Sequence, residues 1–163
     1  MRFMYFIIVI GLTIVLPILT AVTEFFSLHF DAPFLTLLGE AYVFFAGGAR
    51  LLLAGLRQVA QPGFTLKEIF QIENREAEHI VQELGFANIA IGALCLASFW
   101  VGGLSAAGAI VAGLYYGFAG LRHIFSKGRN AKQNLAMCTD ILVFLVLAAY
   151  IASSYGVPLP GST

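Results

Sequence analysis

Two residues of opposite charge, Arg50 and Asp140, stand inside otherwise apolar stretches of this 163-residue chain. An arginine near the centre of an apolar helix costs about 2.5–3.5 kcal/mol on insertion scales, so it needs compensation. Three roles fit it. It can pair with an interior acid and lock a bundle, anchor an anionic or quinone-like ligand, or contact another subunit. The candidate partners are Asp140 and Glu83, with Asn88 more than one helical turn beyond Glu83. Glu40 is ten residues from Arg50 on the same run, too far for an i,i+3 or i,i+4 pair. Helical spacing puts Glu40, Gly47, Arg50, Ala54 and Arg57 on one inward face, with Phe45, Leu52 and Leu56 opposite. The expectation is a polar network of Asp140, Glu83, Arg57, Arg122 and His123, with Arg50 at its inner edge. Such a network neutralises a polar bundle end, carries protons or holds a head group. His123 is its natural titrating member, because an imidazole changes charge near neutral pH.

Other reactive residue types are sparse. Glu76-Ala-Glu-His79 is a Glu-x-x-His, with Glu83 one turn further along the same face. Di-iron bundles need two such motifs and two more carboxylates. One copy reads as a solvated helix face, and a metal on Glu76, His79 and Glu83 is the minor alternative. Cys95 and Cys138 are far apart in sequence, which argues for packing roles over a dithiol centre. No Ser/His/Asp arrangement, phosphate-binding loop or dinucleotide fingerprint is present, so no catalytic residue is assigned and the chain reads as non-enzymatic.

These residues must be positioned by membrane helices. Sixty percent of the chain is apolar and 11% charged, against about 45–50% and about 25% in soluble domains. Nine basic residues balance nine acidic ones. That composition excludes a disordered chain, a basic nucleic-acid binder and a disulfide scaffold. Residues 3–26, 34–57 and 135–155 are each long enough to cross a bilayer. Leu84–Leu121 is 38 residues without a charge, about 57 Å as one helix at 1.5 Å per residue. Gly102, Gly103 and Ser105 break it into a hairpin, 84–101 and 105–122. The fold class is therefore all-α, a polytopic bundle of five spans in a single domain. The runs lack the alternation of a transmembrane barrel. The first span is too long for a signal-peptide core and reads as an uncleaved anchor.

Five spans place Arg2, Arg57, Lys67, Arg75, Arg122, Lys127, Arg129 and Lys132 on one side, eight of the nine basic residues. The positive-inside rule then puts the N-terminus in the cytoplasm and the C-terminus outside the inner membrane. Trp100, Tyr150, Tyr155, Phe25 and Phe26 fall near the outer boundary as an aromatic belt. In the cytoplasmic loop 58–83, Pro62-Gly63 breaks the preceding helix. Thr65 and Glu68 resemble a capping box. Asn74 is a good N-cap for a helix that runs into the third span. Val157–Thr163, with Pro158 and Pro160, reads as a short external tail.

Small residues set the packing. Ala109, Gly113 and Gly117 form a small-x-x-x-small stripe on the fourth span, and Gly85, Gly92, Ala90, Ala93 and Ala97 do the same on the third. Ala54-Gly-Leu-Arg-Gln-Val59 recurs as Ala119-Gly-Leu-Arg-His-Ile124, at the same end of two spans that run in one direction. This suggests a weak parallel repeat.

The string Glu83-Leu-Gly-Phe-Ala-Asn88, the Gly120-Leu-Arg-His123 element and Asp140 resemble small prokaryotic membrane proteins that are DoxX-like. The resemblance covers roughly residues 40–155. The chain departs from it at Gln58, where a second His would stand, and before Asp140, where a Gly-Pro pattern is absent. The resemblance implies association with quinone redox complexes or with the assembly of partner membrane proteins. Together these readings give a non-enzymatic accessory, scaffold or assembly subunit with no cofactor. Its partners would be membrane lipids and other membrane subunits or further copies of itself, with no nucleic acid. The alternative is a quinone- or lipid-binding, redox-associated protein using the Arg50, Asp140 and His123 region. A small oligomeric transporter is the weaker alternative.

Overall fold

The computed structural model describes residues 2–154 and 156. Tyr155 and the expected external tail lie outside the described residues. Five helices are long and apolar enough to cross a membrane: α1 (Met4–Ser27), α2 (Phe34–Ala60), α4 (Arg75–Ala97), α5 (Leu104–Ile124) and α6 (Ala131–Ser154). A short sixth, α3 (Pro62–Glu68), lies between α2 and α4. The chain is an all-α membrane bundle, with no strand among the described residues. The loops 61–74 and 125–130 share one end with the chain start, the basic end. The turns 28–33 and 98–103 share the other, where Glu24 and Asp31 lie.

Several boundaries differ from the sequence expectation, each for a local reason. The third span begins at Arg75 and ends at Ala97, so the hairpin turn is 98–103 and not 102–105. Gly103 takes a left-handed φ of 88° there, a conformation glycine adopts without penalty. Asn74 does cap this helix, its Oδ1 accepting the Glu76 amide at 2.9 Å. Thr65 is no N-cap. It is the fourth residue of α3, which starts at Pro62, where a missing N–H costs nothing. The fifth span begins at Ala131, not 135, because Asn130 and Gln133 form a reciprocal cap. Asn130 Oδ1 accepts the Gln133 amide at 2.9 Å, and Gln133 Oε1 accepts the Asn130 amide at 3.0 Å.

Two helices contain wide π-helical turns, Gly11–Val15 in α1 and Val43–Arg50 in α2. A π turn adds a residue to the helical period and rotates everything beyond it. The expected single face from Glu40 to Arg57 is therefore broken. Gly47 stays buried and the Arg50 side chain nearly so, and Arg57 is half-buried, whereas Glu40 leaves that face and is exposed.

Glycines bring the helices into backbone contact. A methyl group on Gly55 would lie 2.6 Å from the Gly85 carbonyl, and one on Gly92 would lie 2.7 Å from the Leu52 amide nitrogen. These contacts seal α2 against α4. On α5, Gly113 and Gly117 receive Leu147 and Phe144 of α6, and Gly120 receives Ile141. The stripe on α5 therefore packs within the chain, as small-residue stripes do where lipid supplies no hydrophobic drive. Between these two pairs lies the core, built around Tyr42, Val43, Ala46, Tyr116, Val143 and Leu147. The outermost helix is α1. It buries a narrow stripe of Val9, Thr13, Pro17 and Ala21. Ile7, Val15, Leu19 and Phe26 face away. Its aromatic end turns back onto α2 through Phe25, Phe30 and Phe34, with ring centroids 4.8 and 5.5 Å from Phe25.

Trp100 and Phe26 are exposed at the bundle end, as a belt requires, and Phe25 is partly so. Tyr150 is not part of any belt. It is 5% exposed, with its ring against Gly39, where a Cβ would leave it no room.

Candidate functional site

The centre of the bundle is held by Arg50 and Asp140. Arg50 Nη2 donates to Asp140 Oδ1 at 2.8 Å, and both side chains are nearly inaccessible, at 11% and 7%. The guanidinium carbon lies 5.0 Å from the centroid of the Tyr116 ring. Its other nitrogen, Nη1, makes a long contact of 3.4 Å to Thr13 Oγ1 on α1. Tyr5 of α1 interacts with the charges of both residues. One arginine on α2 thus meets α1, α5 and α6. The π turn helps to set this geometry. Within it the Ala46 carbonyl accepts the Tyr116 hydroxyl at 2.7 Å, which fixes the ring beside the guanidinium.

The other expected members separate. Arg57 stacks on Phe64 of α3, its guanidinium carbon 3.6 Å from the ring centroid. Arg122 is exposed and donates to the Ser126 hydroxyl. Glu83 is exposed on α4 and does not approach the pair closely enough to bond to it. His123 interacts with the charge of Asp140 without a direct hydrogen bond to it. Asn88 is fully buried and donates to Gln58 Oε1 at 2.7 Å, while its own Oδ1 has no hydrogen-bond partner among the described residues. The single network expected from the sequence is therefore reduced to Arg50–Asp140–Tyr116 and Gln58–Asn88, with Tyr115 adjoining both, and the remaining charges lie at the basic end. Burial of unpaired charges would be costly, so each long cation takes the nearest available ring or carbonyl.

Glu76, His79 and Glu83 are all exposed on one helix, and no group of three metal-ligating side chains is arranged to hold a metal among the described residues. Cys95 is buried, with its Sγ 3.6 Å from the Gly108 carbonyl, whereas Cys138 is exposed and unbonded to it.

The sequence reading missed the clamp at the basic end. Lys132 is buried and ion-paired with Glu68, and it lies 5.0 Å from the centroid of the Phe64 ring on which Arg57 also stacks. Asn130 Nδ2 donates to the Glu68 carbonyl at 3.0 Å and Gln71 Nε2 to Gln133 Oε1 at 2.8 Å. These bonds strap α3 to the start of α6. Arg129 closes the other side of the same loop, donating to the carbonyls of His123, Ile124 and Ser126 at the end of α5. The Asn-x-x-Gln spacing at 130–133 was the visible signal. The partners of Lys132 and Arg129 carried none.

The repeated hexapeptides take comparable places. Gly55 and Gly120 each seat on the span that follows in sequence, against Gly85 and against Ile141. The residue after the first arginine, Gln58, bonds to Asn88 of that next span, whereas His123 after the second makes no hydrogen bond to Asp140.

No family model, no curated protein and no solved structure matches this chain.

Proposed function

We propose that this membrane protein is a non-enzymatic accessory, scaffold or assembly subunit of a larger membrane complex. The observation that carries this reading is the closure of the Arg50–Asp140 pair on itself. Its two charges are met by each other and by Tyr116, and they tie four helices together. Polar chemistry at the bundle centre is spent on holding shape. The first helix supports the same reading. Only 22% of its apolar window is buried within the chain, which leaves a broad apolar ridge along Ile7, Val15 and Leu19 for neighbouring helices. The chain would lie in the inner membrane with the basic end in the cytoplasm, following the segregation of its Lys and Arg residues.

Native mass spectrometry from mild detergent tests this. The expected result is an assembly containing the 17.6 kDa chain in fixed ratio with other chains. Recovery of the chain alone with a quinone-mass adduct, lost in Arg50→Leu while the helical fold persists, would overturn it in favour of a redox-associated quinone protein.

A further inference from the structure

The end of the bundle away from the basic loops contains a cavity of about 660 Å³. Its walls come from α1, α2, the 98–103 turn, α5 and α6, and they include Glu24, Glu40, Phe44, Phe99 and Tyr150. That volume lies in the range of small-molecule sites, which combine apolar walls with a few placed polar groups. The lining carries two carboxylates and no basic residue. Glu24 and Glu40 come from different helices and line the same cavity. Neither carboxylate has an ion-pair partner among the described residues. His29, in the neighbouring turn, does not line the cavity.

Glu40 is the more telling of the two. It sits seven residues into α2, about 9 Å from the helix start at 1.5 Å per residue. Acids within a span face the bundle interior or a water-filled cavity, and Glu40 lines this one. Because the lining holds no basic residue, a cation bound here would come from outside the chain. Aromatic faces beside the carboxylates favour a diffuse, weakly hydrated cation over a compact metal ion, because the ring quadrupole attracts it at little desolvation cost. Phe44 and Phe99 stand 5.7 Å apart as one such wall.

We infer that this cavity binds a hydrophobic organic cation, with its charge between Glu24 and Glu40 and its apolar body against Phe44, Phe99 and Tyr150. The test uses the full chain in phosphatidylcholine nanodiscs and radiolabelled tetraphenylphosphonium as the probe. Saturable binding of one cation per chain is expected, above the level of empty nanodiscs. Glu40→Gln should weaken it at least tenfold and Glu24→Gln in the same direction, while Glu40→Asp retains most of it. Glu76→Gln, at the basic end, should change nothing. Ala106→Phe, which fills the cavity without altering charge, should abolish binding. Tetraphenylborate has the same size and the opposite charge, so it should not compete. Binding no greater than that of empty discs overturns the inference. So does binding indifferent to both glutamine variants in chains with wild-type circular dichroism, or displacement by tetraphenylborate.

Discussion

Arg50 stays charged inside an apolar helix because a guanidinium does not give up its proton in proteins. Its position is tolerable only with an acid at bonding distance, and Asp140 is 2.8 Å away. Breaking one side of a buried pair strands the other charge, at about 3–5 kcal/mol, whereas removing both avoids that penalty. We therefore expect Arg50→Gln and Asp140→Asn each to destabilise by about that much, with the double variant well short of the sum. Circular dichroism during unfolding in mixed micelles reads this, and additive losses would show that the two do not interact. Tyr116→Phe removes the hydroxyl from the Ala46 carbonyl but keeps the ring over Arg50. Its loss should be smaller, about 0.5–1.5 kcal/mol.

At the scale of elements, contacts between helices follow from where a side chain is missing. Gly92 faces the Leu52 backbone, which cannot move aside as a flexible side chain would. Gly92→Val should cost at least about 1–3 kcal/mol in the same unfolding measurement, as overpacking does. Gly11 has open space around its Cβ position. Gly11→Ala should be neutral or stabilising by about 0.5–1 kcal/mol, through reduced backbone freedom. Equal losses at the two sites would contradict the close approach of α2 and α4. At the start of α6, Asn130→Ala removes one half of the reciprocal cap and the bond to the Glu68 carbonyl. About 1 kcal/mol is expected from the cap alone.

For the whole molecule, five crossings place the 98–103 turn and the 125–130 loop on opposite faces of the membrane. In a Cys138→Ser background, with Cys95 buried, Gly102→Cys and Lys127→Cys should label from opposite sides with an impermeant maleimide. Labelling of both from one side would refute the count. At the same scale, the two hexapeptide copies mark paired helices, α2 with α4 and α5 with α6. Each copy supplies a glycine for close approach, and the first also a polar residue that bonds to the next span.

Much of this was legible in the residues because a bilayer imposes simple rules. Length and hydropathy determined the five spans, their alternation determined which loops share an end, and glycine spacing marked the faces that pack. Arg50 was identifiable as needing a partner by cost alone, and Asp140 was one of two acids within plausible reach. The tertiary structure decided between them, since Glu83 turns outward on α4 while α6 carries Asp140 to the guanidinium. It also revealed the π turns that rotate the face of α2, because a change of helical period depends on neighbours such as Tyr116 and leaves no trace in a periodicity. The clamp of Lys132 on Glu68 and the cavity between Glu24 and Glu40 join residues from distant parts of the chain. Sequence alone sets which charges exist, but only packing decides which are left facing each other.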